Sequence, residues 1–136
     1  MGNQRAPTTT EPITVLVADD EEDMRVLVRA ILTRRGMRVV EEAIDGTDAL
    51  AAVNRLNPPP IPSVLILDNR MPDMDGLEVA KRVLEQVPSQ RIVLFSAYLT
   101  KEIEAQAKAI GIRACVSKDV VARLPEVIAD LAAGRG

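Results

Sequence analysis

Ser63-Val64-Leu65-Ile66-Leu67-Asp68, running on into Asn69-Arg70-Met71-Pro72-Asp73-Met74-Asp75-Gly76, is the stretch that decides the fold of this chain. An apolar run stops on an acid. A loop of Pro, Asp and Gly follows, and Leu77 to Gln86 then reads as a helix that Pro88 ends. A short strand with no polar alternation is one buried on both faces, as in parallel sheets. One strand, one loop and one helix therefore make a unit.

The same unit recurs on either side. Upstream, Ile13 to Ala18 is a β-branched run ending on Asp19-Asp20. Its helix carries Met24, Leu27, Val28 and Ile31 at helical spacing, with Asp23 as candidate N-cap, Arg34 and Arg35 near the end, and Gly36 as the stop. Met37 to Glu42 reads as a weaker strand and Asp45-Gly46 as a turn. The helix from Asp48 to Leu56 is stopped by Asn57-Pro58-Pro59-Pro60. Downstream, Arg91 to Phe95 ends on Ser96, and a helix from Thr100 to Ile110 closes at Gly111. Ile112 to Ser117 ends on Lys118, and a last helix begins near Leu124 with Pro125 in its first turn. Five such units with short connections predict an α/β fold. Right-handed crossovers make it a doubly wound five-stranded parallel sheet covered on both faces. Residues 1–12 show no apolar period and read as a flexible N-terminal tail, with one domain over 13–136.

Composition narrows the chemistry. The chain has 136 residues, 17 basic against 20 acidic, for a net charge of −3. That balance argues against nucleic-acid binding by this domain. With no His and a single Cys115, His-based nucleophilic catalysis, thiolate metal clusters and internal disulfides are all excluded. No apolar run reaches the roughly 20 residues of a membrane span. The N-terminus has no secretory h-region either, so a cytoplasmic, reducing location is expected. Any chemistry must come from Asp, Glu, Lys, Ser or Thr.

Open parallel sheets place their sites beyond the carboxyl ends of the strands. There this sequence puts Asp19, Asp20, Asp68, Ser96 and Lys118. Each alone is a commonplace cap, turn or surface residue; together they are not. Clustered carboxylates repel and raise one another's pKa, and a hard divalent cation such as Mg²⁺ removes the conflict. Asp68 is then placed to attack a phosphoryl group and carry it as an aspartyl phosphate. Lys118 and Ser96 are placed to stabilise the phosphoryl oxygens.

These residues, in the stretches Val15 to Glu21, Leu65 to Glu78, Ile92 to Ala97 and Gly111 to Lys118, resemble the receiver domain of bacterial two-component response regulators, CheY-like, over about residues 13 to 133. Lys118-Asp119 looks like receivers of the NarL type. The resemblance implies a flavodoxin-like three-layer sandwich with strand order 2-1-3-4-5. It implies Asp68 as phosphoacceptor, and Asp20, Asp68 and the backbone carbonyl of Arg70 as Mg²⁺ ligands, with Asp19 acting mostly through water. It further implies Ser96 as switch hydroxyl, with Ala97 beside it, and Lys118 on a phosphoryl oxygen. The donor would be a histidine kinase or histidine phosphotransfer protein, or a small phosphodonor such as acetyl phosphate. Output would pass through the face of the fourth helix, fifth strand and fifth helix, where phosphorylation-dependent homodimers also form. Lys101, Glu102, Gln106, Arg123, Glu126 and Asp130 are the exposed candidates on that face.

The chain departs from the family pattern at several positions. Cys115 stands where Tyr or Phe is usual, so no aromatic swing there can report activation. It reads as a small buried hydrophobe. Asp119 replaces the usual proline, and a cis bond before a non-proline costs about 3 kcal/mol, so a trans bond and an altered loop are expected. Arg70 and Tyr98 occupy the positions that tune phosphoryl lifetime. Arg70 is expected to contact a phosphate oxygen or to pair with Glu21 or Glu22, and Tyr98 to shield the site from water. A dehalogenase-type phosphatase fails at Arg70, where it needs a second Asp. The loop at Asp73-Met74-Asp75-Gly76 lacks the acids of a Ca²⁺ frame, and no glycine-rich phosphate loop is present. The alternative left by Cys115 and Asp119 is a phosphorylation-independent pseudo-receiver. No DNA-binding segment follows the last helix, so a stand-alone receiver or one cut from a longer regulator is expected.

Overall fold

A computed structural model describes residues 12–56 and 62–134. Five strands alternate with helices: β1 (Thr14–Ala18), α1 (Glu22–Arg34), β2 (Arg38–Ala43), α2 (Gly46–Arg55), β3 (Val64–Leu67), α3 (Gly76–Gln86), β4 (Arg91–Ser96), α4 (Lys101–Ile110), β5 (Ala114–Ser117) and α5 (Leu124–Ala132). All pairings are parallel and the sheet order is β2-β1-β3-β4-β5, the expected one. Most of the tail, and the Asn57 to Pro60 stop, fall outside the described residues.

The pleat sorts the strands into two cores. Leu16, Ala18, Leu65, Leu67, Ile92 and Leu94 face α2, α3 and α4. Val15, Val17, Val64, Ile66, Val93 and Phe95 face the other way, against Val28 and Leu32 of α1 and Leu124, Ile128 and Leu131 of α5. Successive strand residues alternate faces, so a strand apolar at every position feeds both layers. This is the physical content of the run Val64–Leu67, buried throughout. The shape is a three-layer sandwich.

Local detail corrects three expectations and gives the expected altered loop after β5 its form. Asp23 does not cap α1: Glu21 holds the N-cap position with no side-chain bond, and Asp23 sits in the first turn, where its charge complements the helix dipole. Leu27 is 42% exposed, whereas Leu32 is fully buried. The α1 stripe is Met24, Val28 and Leu32 at i, i+4 and i+8, rotated from the predicted one. Asp130 is half-buried and partnered rather than exposed. After β5 the chain does not loop directly into α5. Lys118–Arg123 forms a 3-10 segment broken at Val120 (φ −122°, ψ 45°), opened by Ser117, whose Oγ accepts from the Asp119 N–H at 3.1 Å. Gly111 ends α4 at φ 114°, a left-handed conformation that glycine adopts without penalty.

Candidate functional site

In the order β2-β1-β3-β4-β5 the winding reverses between β1 and β3, and a crevice opens there above the carboxyl ends. The Asp68 N–H donates to the Ala18 carbonyl at 2.9 Å and the Asp19 N–H to Ala43 at 3.0 Å. The ladder therefore continues one residue past the strands, and both acids inherit the rigidity of the sheet. Asp20, Glu21, Asp68, Arg70, Ser96, Ala97, Tyr98 and Lys118 line an open cleft of about 270 Å³. Asp19 lies beneath it, 2% exposed. Every residue expected at the strand ends is thus brought to one place.

Lys118 is the hub. Its Nζ lies 2.8 Å from Asp19 Oδ2, 3.1 Å from Asp68 Oδ2 and 3.1 Å from Glu21 Oε1. The contact with Asp19 is close in distance but lacks hydrogen-bond angles, so that buried Oδ2 has no hydrogen-bond partner among the described residues. The other Asp19 oxygen accepts from the Glu21 N–H at 2.9 Å. Glu21 as a partner of Lys118 was not legible in the sequence, because it lies past the strand end, at the N-cap of α1, where strand topology does not place it. The guanidinium of Arg25 closes the back of the site on the Asp19 carbonyl at 2.6 Å.

Burial pushes the Asp68 carboxyl up to about 6, and the neighbouring Asp19 charge adds to this. Lys118 and the Arg70 N–H pull it part of the way back. Burial alone would lower the Lys118 ammonium, but its contact with Asp19 and the charges of Asp68 and Asp19 outweigh that and raise it. Asp19, Glu21 and Asp68 thus share the Lys118 ammonium, with Asp20 on the same cleft. Carboxylate oxygens of Asp19, Asp20 and Asp68 lie within 4.8 Å of one another. Three carboxylates clustered this closely are a purely oxygen donor set, and that fits a hard divalent cation such as Mg²⁺.

The loop after β3 is held as firmly as the strand. The Gly76 N–H donates to the Asn69 carbonyl at 2.9 Å, and Asn69 Oδ1 accepts from the Leu77 N–H at 3.2 Å. A Cβ on Gly76 would stand 2.4 Å from the Asp68 carbonyl oxygen, so only glycine fits there. Asp73, read as part of a failed Ca²⁺ loop, instead accepts from the N–H groups of Gly46 (2.8 Å) and Thr47 (2.9 Å) and from the Thr47 hydroxyl. It ties the loop to the N-terminus of α2. Those bonds, the Thr47 hydroxyl foremost, hold its carboxyl down at about 2.

Arg70 does not pair with Glu21 or Glu22. Its guanidinium lies over the Tyr98 ring, 4.3 Å from the centroid, at the mouth of the cleft. Ser96 is buried, and its Oγ accepts from the Tyr98 N–H at 3.3 Å. Cys115 is half-buried beside the core of α2, α3 and α4. Burial, and then Glu104, push its thiol up, away from thiolate reactivity.

Residues 15–129 match the family model of the response regulator receiver domain. Among curated proteins, protein-glutamate methylesterase/protein-glutamine glutaminase 3 of Hahella chejuensis is 39% identical over 84 residues, 62% of this chain but 23% of that protein. Chemotaxis protein CheY of Thermotoga maritima is 31% identical over 83 residues, 61% of this chain and 66% of that one. Among solved structures, the signal receiver domain of the response regulator NarL from Mycobacterium tuberculosis superposes with a TM-score of 0.83 at 34% identity, covering 92% of this chain and 99% of that one. The chain spans under a quarter of the methylesterase, so the activity that protein is named for is not carried over. No helix among the described residues is long and apolar enough to cross a membrane.

Proposed function

The chain belongs to the response regulator receiver domain family, and on that premise we propose that it accepts a phosphoryl group on Asp68 and signals by the change this causes. The observation that carries the reading is Lys118 Nζ set between buried Asp19 and Asp68, with Ser96 across the same cleft. Asp68 Oδ2 is held by Lys118 and Oδ1 by the Arg70 N–H at 3.3 Å, so the carboxylate is fixed with the cleft open in front of it. A carboxylate oxygen forms the O–P bond while the P–N bond of a phosphohistidine breaks. The imidazole leaves and takes its proton from water. With acetyl phosphate the departing group is acetate.

The carboxylates of Asp19, Asp20 and Asp68 and the Arg70 carbonyl would hold Mg²⁺, which when bound neutralises charge on the phosphoryl oxygens. Lys118 then exchanges a carboxylate for a phosphoryl oxygen without losing an anionic partner. The Ser96 hydroxyl, whose Oγ accepts from the Tyr98 N–H, keeps its own proton to donate to the new anion in a charge-assisted bond. The donor is a histidine kinase, a histidine phosphotransfer protein or a small phosphodonor such as acetyl phosphate. The face of α4, β5 and α5, with Lys101, Glu102, Gln106, Arg123 and Glu126 exposed on it, is the proposed output surface and the site of any phosphorylation-dependent dimer.

Incubation with acetyl phosphate and Mg²⁺, followed by intact mass, tests the phosphoacceptor. The expected result is a gain of about 80 Da, one phosphoryl group, lost in Asp68→Asn. No adduct from any donor would identify a pseudo-receiver instead.

A further inference from the structure

We propose that Tyr98 is the residue through which an occupied cleft is reported to the β4–α4 loop. The proposal rests on Asp68 being the phosphoacceptor. Two contacts hold Tyr98, one on its backbone and one on its ring. Its N–H donates to Ser96 Oγ at 3.3 Å, and its ring lies under the Arg70 guanidinium at 4.3 Å. Both partners line the cleft beside Asp68.

The ring's partner is a group that a phosphoryl oxygen would take away. The Ser96 hydroxyl can donate its proton to a phosphoryl anion and still accept from the Tyr98 N–H, so that hold keeps the backbone in place. The Arg70 stack is an exposed cation–π contact, which is weak, whereas a guanidinium on phosphate makes two parallel charge-assisted bonds. A new anion at Asp68 therefore competes for the Arg70 guanidinium, and with the stronger interaction. Tyr98 then loses its ring partner.

The released ring lies where its movement is transmitted. Thr100, two residues on, caps α4, its Oγ1 accepting from the Ile103 N–H at 3.1 Å. Position 115, on β5, holds a cysteine that has no ring to move. Tyr98 is already 59% exposed, so release costs little burial. It is also the sole tyrosine in a chain without tryptophan, so its emission reports position 98 alone.

Acrylamide quenching of tyrosine emission, on the full chain in Mg²⁺ before and after acetyl phosphate, measures the release. Intact mass on the same sample counts the adduct. The quenching constant of the phosphorylated chain is expected to rise to the level of unphosphorylated Arg70→Ala, whose ring is uncovered from the start. In Arg70→Ala, phosphorylation should add little further rise. Full adduct with unchanged quenching overturns the role of Tyr98 and leaves the phosphoacceptor reading standing. A change in emission intensity without a gain in quenching means that the ring senses the charge without moving, and also overturns it. No adduct removes both the proposal and its premise.

Discussion

Arg70 and Tyr98 line the cleft in front of Asp68, and we propose that they set how long a phosphoryl group survives there. Loss of an aspartyl phosphate needs water to approach the phosphorus through the cleft, which both side chains line. An Arg70 guanidinium drawn onto a phosphoryl oxygen and the Tyr98 ring beside it each stand in that path, and an exposed contact of either kind is worth about 0.5–1 kcal/mol. If that contact slows the approach of water, hydrolysis without it accelerates by roughly 2- to 5-fold. Arg70→Ala and Tyr98→Ala should each shorten the adduct's half-life by that order in Mg²⁺, followed by mass against time. Equal half-lives in wild type and both variants would refute the shield. The sequence marked both residues but not their pairing. Arg70 ends in a flexible side chain with several anionic and aromatic neighbours within reach, and nothing in residue order ranks them. The strand-end acids were legible because topology alone brings them together. Glu21 was not, because it meets Lys118 only once the sheet has closed.

Among the elements, α3 shows how tightly the phosphoacceptor is built in. Alanine is the better helix former, and Gly76→Ala in an open helix start would gain about 0.5–1 kcal/mol. Here the new Cβ meets the Asp68 carbonyl oxygen at 2.4 Å, and the backbone behind it is pinned to β1 by the Asp68–Ala18 bond. Overpacking against fixed backbone costs about 1–3 kcal/mol, so the clash wins. Gly76→Ala should lower the Tm and slow adduct formation from acetyl phosphate, because the displaced group carries the nucleophile. A variant of normal Tm that phosphorylates at the wild-type rate would show that the loop gives way freely. The elements themselves were read in the right order because burial on both faces and helical periodicity are local signals. The errors lay in rotation and in caps. Leu27 and Leu32 both fit a helical period, and only the packing of α1 against Val15, Val17 and Phe95 decides that Leu32 goes inside. The 3-10 segment after Lys118 and the tie from Asp73 to α2 have no period at all. The second joins residues 26 and 27 positions apart.

For the whole molecule, the site is a source of instability that stands beside a largely apolar interior. A carboxyl raised from 3.8 to about 6 on folding binds its proton more tightly in the folded chain than in the unfolded one. Between roughly pH 4 and 6 the folded state therefore holds more protons, and stability must fall as pH rises through that window. Discounted for the cleft's access to solvent, the cost at pH 7 is about 1–2 kcal/mol. Asp73 works in the opposite sense. Its carboxyl, held at about 2, lends stability that is present above the unfolded value and lost only as pH drops from about 4 toward 2. Without divalent cation, Asp68→Asn should thus melt above wild type at pH 7, with the gap closing toward pH 4 as Asp68 protonates in the native chain. Adding Mg²⁺ should raise the wild-type Tm at pH 7 with the concentration dependence of a ligand bound by the folded state alone, and should raise that of Asp68→Asn far less. Thermal melts of the two proteins at pH 7 and pH 4.5, with and without Mg²⁺, read all of this in one set. A wild type as stable as Asp68→Asn at pH 7 in chelator would mean that Lys118 fully neutralises the acid cluster, leaving no strain for a cation or a phosphoryl group to relieve.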